Sequence, residues 1–184
     1  MEKIIKDYFK NLVDTINSLK IEEFEEVANV LKTARAKGKQ IFIFGNGGSG
    51  STATHFACDI NKGVSYGKPE RFKVICLNDN IPTLLTYSND IGYDVVFKEQ
   101  LENFLQKGDV VIGISGSGNS KNVLNAIDFA NKQSAVTIGI TGYSGGILKT
   151  ITNYSINAAF NDMQISEDIH MIWVHVMMKC LLEN

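Results

Sequence analysis

Apolar positions along this chain keep two different periods. Between residues 2 and 19, Ile4, Ile5, Tyr8, Phe9, Leu12, Val13, Ile16 and Leu19 recur at steps of three and four, which predicts an amphipathic helix. Phe24, Val27, Val30 and Leu31 form a second such stripe, a helix over 21–35 that stops near Gly38. The period then shortens. Apolar runs at 41–44, 72–77, 110–115, 135–141 and 154–160 read as buried strands. Helical stretches at 51–61, 82–87, 95–105, 119–132 and 147–151 lie between them, and a last helix runs from about Gln164.

Alternation of strand and helix predicts the α/β class. The expected architecture is a three-layer sandwich, a mostly parallel five-stranded sheet flanked by helices, with an N-terminal helical arm over residues 1–38. The length fits a single domain, residues 1–184, long enough to bury a sizeable core. Two helices ahead of the first strand cannot both serve as crossovers. At least one is therefore expected to pack against another subunit, the alternative being a cap on the sheet edge.

Composition removes several function classes. With 18 basic and 20 acidic residues the net charge is -2, so no basic excess draws the protein to nucleic acid or a membrane surface. Glu2, Lys3, Lys6, Asp7 and Lys10 leave no secretory leader, no long apolar run exists to span a bilayer, and a cytoplasmic location is expected. Cys58, Cys76 and Cys180 are widely spaced and fit reduced, mostly buried thiols.

The candidate chemistry lies at the ends of the strands. Gly45-Asn46-Gly47-Gly48-Ser49-Gly50-Ser51 follows the first strand and leads into a helix, an arrangement in which glycines admit a ligand and the helix N-terminus offers free N–H groups. It is neither a Walker loop nor a dinucleotide fingerprint, since no Gly-Lys-Ser/Thr follows and no acidic residue ends the next strand. Taken alone it is equally a structural turn. Ser115-Gly116-Ser117-Gly118-Asn119-Ser120 repeats the arrangement after another strand, with Asn119 or Ser120 placed to cap the next helix. Two such loops on one sheet point to a phosphate-bearing ligand. A third polar corner, Ser88-Asn89-Asp90-Ile91-Gly92-Tyr93-Asp94, could hold sugar hydroxyls or be a plain turn.

Taken together these residues resemble the sugar isomerase (SIS) domain family and, within it, the phosphoheptose isomerases. The resemblance runs in order through Gly45-Asn46-Gly47-Gly48-Ser49 with His55-Phe56-Ala57, Asn89-Asp90 with Gly92-Tyr93, Ser115 and Ser117-Gly118-Asn119-Ser120, then Glu167-Asp168-Ile169-His170 with His175. It implies an SIS-type, flavodoxin-like sandwich, a homotetramer, and interconversion of sedoheptulose 7-phosphate with D-glycero-D-manno-heptose 7-phosphate for bacterial surface heptose. It further implies that Ser49, Ser115, Ser117 and Ser120 hold the phosphate and that Asn46, Gly47, Gly48, Asn89 and Asp90 contact the sugar, with Gly116 in the same loop. Asp59 and His175 would be the catalytic pair, and His55, Asp59, Glu167 and His175 a zinc site that some members of the family use. Three positions depart from the family pattern: Asp59 replaces a glutamate, Glu167 a glutamine and Gly116 a threonine.

Aldose–ketose isomerisation needs a base beside a carbonyl and an acid, or a metal, at its oxygen. His55 and Asp59, four residues apart, share one face of the predicted helix next to the phosphate loop. Glu167 and His175 are separated by eight residues of helix, roughly 12 Å, too far to bind one zinc from within a regular helix. If both act in one site, either Glu167 precedes the regular helix or different subunits supply the two, and the active site is expected at a subunit interface. His170 faces another direction and is read as structural or supporting, and Met171, Ile172, Trp173, Met177 and Met178 as core. The reading is thus a homo-oligomeric sugar-phosphate isomerase that admits zinc without requiring it. The alternatives are a non-catalytic phosphosugar-binding or regulatory adaptor, and an isomerase of another phosphosugar.

Overall fold

A computed structural model describes residues 1–183. Strand pleating sorts the core into two halves, because successive side chains point to opposite faces. In β1 (Gln40–Gly45), Ile41 and Ile43 enter one apolar cluster, and Phe42 and Phe44 enter the other. The remaining strands are β2 (Lys73–Cys76), β3 (Val110–Ser115), β4 (Val136–Gly142) and β5 (Tyr154–Ala158). Every pairing is parallel, in the order β2-β1-β3-β4-β5. This is the flavodoxin-like order, and all five expected strands are present.

Eight α-helices complete the chain among the described residues: α1 (Glu2–Asn17), α2 (Ile21–Ala36), α3 (Gly47–Cys58), α4 (Ile81–Asp90), α5 (Val96–Phe104), α6 (Lys121–Lys132), α7 (Gly146–Ile151) and α8 (Met163–Leu182). On one face α2, α3 and α8 bury Leu31, Phe56 and Trp173, the last two stacked with ring centres 5.0 Å apart. On the other, α5, α6 and α7 bury Phe97, Ile127 and Leu148, with Phe97 stacked on Phe44 at 4.7 Å. Gly113 and Gly139 pair across β3 and β4; a Cβ on Gly113 would come within 2.9 Å of Val123 and one on Gly139 within 3.2 Å of Leu148, so the missing side chains let α6 and α7 lie close to the sheet. β1 leads into α3 on one face, whereas its neighbour β3 leads into α6 on the other. Their loops therefore part at a topological switch point, where ligands of open α/β sheets bind.

Several boundaries differ from expectation. The helix expected over 51–61 starts at Gly47, so the glycines expected to form a loop are its first turn; it then widens into a π-helical turn over Asp59–Val64. Ser88, Asn89 and Asp90, expected in a turn, end α4 instead. Neither Asn119 nor Ser120 makes the expected side-chain cap on α6.

The two N-terminal helices have different surroundings. α2 is a sheet-covering helix, with Val27, Ala28, Leu31 and Ala34 buried. α1 touches the rest of the chain mainly at α8, through a 2.6 Å hydrogen bond from the Tyr8 hydroxyl to Asp168, and leaves Ile4, Phe9 and Val13 exposed. Of the three free cysteines only Cys76 is buried; Cys58 is exposed, because it ends α3 at the surface. Among the described residues no helix is long and apolar enough to cross a membrane.

Candidate active site

Two helix N-termini open onto one cavity of about 260 Å³. Its walls are Asn46, Gly47, Gly48 and Ser49 at the start of α3, Ile114 to Ser117 and Ser120 ahead of α6, and Met163 and Glu167 of α8. Neither α3 nor α6 has a side-chain cap, which leaves first-turn N–H groups for an anion. The N-cap side chains are engaged elsewhere, Asn46 with Asn122 and Ser120 within its own loop. Ser120 Oγ lies 3.0 Å from Ser115 Oγ, and Ser117 Oγ accepts the Asn119 N–H at 3.2 Å. Asn78 clamps the backbone of Gly45 from the end of β2, donating to its carbonyl at 2.8 Å. All four serines that resemblance assigns to the phosphate thus surround one space, together with Asn46, Gly47, Gly48 and Gly116. Met163 Sδ sits 2.6 Å from where a Cβ on Gly116 would be, so α8 occupies the room a larger residue there would need.

A second constellation lies farther along the same pair of helices. α3 and α8 run side by side in the same direction, since Glu167 meets Gly48 at one end and His175 meets His55 at the other. His55 Nε2 is 3.2 Å from Asp59 Oδ2 and 3.3 Å from His175 Nε2, and ligand atoms of the three residues all fall within 4.8 Å of one another. Zinc bound tetrahedrally to nitrogen and oxygen spaces its ligand atoms by about 3.4 Å, so two of the observed separations fit such a site. Two imidazoles and a carboxylate are also a donor set that catalytic zinc takes, with the fourth position open. Without a cation, His55 Nε2 faces both Asp59 and His175 with a single proton or lone pair to offer them. The π-helical turn begins at Asp59, in keeping with such turns marking functional positions.

The remaining predicted residues lie apart from this trio. Glu167 lies well inside α8 and faces Gly48 in the serine-lined cavity, so within one chain it does not join His55, Asp59 and His175. Asn89 and Asp90 hydrogen-bond to each other at the exposed end of α4, at 2.8 Å. His170 is fully buried, and burial pushes its pKa below the ordinary 6.5, opposed in part by the Thr141 backbone. Sequence reasoning missed Asn122. It is 2% exposed, and its amide and that of Asn46 exchange hydrogen bonds at 2.9 and 2.8 Å. Asn46 also accepts the Tyr93 hydroxyl at 2.7 Å. The polar corner at 88–94 and the Gly92-Tyr93 pair stand out in the sequence, but no local pattern links Tyr93 to Asn46.

A doubly wound sheet with a polar, anion-ready cavity at its switch point defines an α/β domain of the ligand-binding, flavodoxin-like class, and comparison with known proteins places it. The SIS domain family profile matches residues 6–142. A probable phosphoheptose isomerase of Thermoplasma acidophilum is 36% identical over 159 residues, covering 86% of this chain and 87% of the relative. The phosphoheptose isomerase of Helicobacter pylori is 36% identical over 159 residues, covering 85% and 81%. The solved phosphoheptose isomerase of Neisseria gonorrhoeae superposes with a TM-score of 0.90 at 25% identity, covering 98% of this chain and 97% of that one. The chain belongs to the SIS-domain family and, within it, to the phosphoheptose isomerases.

Proposed function

We propose that this protein is an aldose–ketose isomerase converting sedoheptulose 7-phosphate to D-glycero-D-manno-heptose 7-phosphate for bacterial heptose biosynthesis. The observation that carries the reading is the convergence of His55, Asp59 and His175 on the same two helices that line the serine-rich cavity. Gly48 and His55 are seven residues apart on α3, roughly 10 Å by helical rise. This matches a substrate whose phosphate and carbonyl are at opposite ends of a seven-carbon chain.

In this reading Ser49, Ser115, Ser117 and Ser120, with the first-turn N–H groups of α3 and α6, bind the phosphate. Asn46, Gly47, Gly48, Gly116, Asn89 and Asp90 orient the sugar. Asp59 and His175 form the acid–base pair that moves a proton between C1 and C2, the two carbons of the enediol, while the oxygens on those carbons exchange a proton. Without metal, His55 positions Asp59 from one turn away on α3. Alternatively His55, Asp59 and His175 would hold zinc, which when bound supplies a Lewis acid at the carbonyl oxygen in place of that pair. Glu167 would complete a site in a neighbouring subunit or contact the sugar from the cavity wall.

The whole chain acts as one domain, cytoplasmic and homotetrameric. The exposed apolar side of α1, including Ile4, Phe9 and Val13, supports a role for the 1–38 arm in assembly. The test is an isomerisation assay with sedoheptulose 7-phosphate on purified protein, after chelation and again with added zinc, with the product sugar identified. Turnover to the heptose phosphate is expected. Binding without turnover of any phosphosugar would favour a non-catalytic member of the family instead.

A further inference from the structure

We infer that Tyr93 and Asn122 are positioning residues that lock the Asn46 amide with an N–H toward the bound phosphosugar. The inference rests on the phosphosugar reading above.

The orientation follows from donors that have no alternative role. The backbone N–H of Val123 can only donate, and it donates to Asn122 Oδ1 at 3.0 Å. Asn122 Nδ2 must then face Asn46, where it donates to Oδ1 at 2.8 Å, while Asn46 Nδ2 returns a bond to Asn122 Oδ1 at 2.9 Å. Tyr93 donates its hydroxyl to the same Asn46 Oδ1 at 2.7 Å. Both lone pairs of that oxygen are thereby used. What Asn46 has left for the cavity is the second N–H of its Nδ2, a donor suited to an oxygen lone pair of the ligand.

The three residues come from three different corners of the sheet. Asn46 follows β1, Asn122 lies in the first turn of α6 beyond β3, and Tyr93 follows α4, next to Asn89 and Asp90. One amide thus fixes the two anion-binding helix N-termini relative to each other and to the corner assigned to the sugar. Gly92, at φ +148°, supplies a backbone conformation that brings Tyr93 round to face Asn46.

The experiment is a set of cycles on Asn46. Dissociation constants for sedoheptulose 7-phosphate, and kcat and KM, are measured for wild type, Tyr93→Phe, Asn122→Ala, Asn46→Ala and the two double variants containing Asn46→Ala. Tyr93→Phe should weaken binding about fivefold, as one hydrogen bond removed, and raise KM while kcat stays within about twofold. In the Asn46→Ala background both changes should shrink to less than about twofold, because residues acting through one group are not additive. Inorganic phosphate, held by the serines, should bind about equally to wild type and Tyr93→Phe. Tyr93 is half-exposed and its variant tests the idea even if Asn122→Ala does not fold. Full effects persisting without Asn46, or wild-type affinity in Tyr93→Phe, would overturn the inference. Absent wild-type turnover with the affinity pattern intact would remove the isomerase reading alone.

Discussion

His55 and His175 bring their Nε2 atoms to 3.3 Å of each other across 120 residues of sequence. Parallel packing of α3 on α8 produces this approach, with the Phe56–Trp173 stack fixing the register between the helices just beside it. The rings meet edge to face at 72°, and the same His55 nitrogen lies 3.2 Å from Asp59 Oδ2.

Asp59→Asn keeps the shape of the side chain and removes its basicity. Turnover should fall by a factor of about 100 or more, while affinity for sedoheptulose 7-phosphate changes little, since the phosphate cavity lies elsewhere on α3. Steady-state kinetics paired with calorimetry decide the matter. A variant with normal kcat would take Asp59 out of the reaction.

Gly48 faces the Glu167 carboxylate, the movable end of that side chain, with which a Cβ would collide. Its φ is not positive, so the restriction comes from space alone. Gly48→Ala should therefore displace Glu167 and raise KM. Replacing Glu167 by Ala as well should recover part of the loss beyond what Glu167→Ala itself allows. Two independent, additive defects would contradict a steric cause.

His170 is buried, and its ring nitrogens lack well-formed hydrogen bonds. Since burial lowers its folded-state pKa below 6.5, the unfolded chain binds the proton more readily. Stability should be insensitive to this group above about pH 6.5 and should fall as pH drops from there toward the folded-state value. His170→Phe should flatten that acid limb with little cost at pH 8, because no good hydrogen bond is lost. Denaturation midpoints at several pH values measure it, and an unchanged slope in the variant would assign the acid loss to other groups.

Tyr8 ties α1 to α8 through Asp168, and that hydrogen bond, with help from burial and the carboxylate charge, pushes the phenol up to about 12. Tyr8→Phe should cost roughly 1 kcal/mol, or about 2–4 °C in Tm for a chain of this size. If the arm assembles subunits as proposed, the variant's oligomer should also dissociate at higher protein concentration than that of the wild type, which analytical ultracentrifugation reads directly.

Much of this was legible in the sequence because it depends on near neighbours. The change from helical stripes to apolar runs set the element order, and β-branched runs without alternation required a sheet covered on both faces. The pairing of His55 with Asp59 needed only helical periodicity. The two glycine- and serine-rich segments raised the expectation of an anion site and line one cavity, because strand, glycines and helix N-terminus are contiguous in the chain. Tertiary structure decided the rest. It set the start of α3 at Gly47, since Asn78 and the Asn46–Asn122 pair stabilise the early turn from far along the chain. It joined His175 to His55 while sending Glu167 to Gly48, because helix packing converts an eight-residue interval into a separation along α8 that no local rule assigns to a partner. It also placed Asn122 and Tyr93 at Asn46. A hydrogen bond between residues many positions apart leaves no period in the sequence, and only the folded chain brings its two ends together.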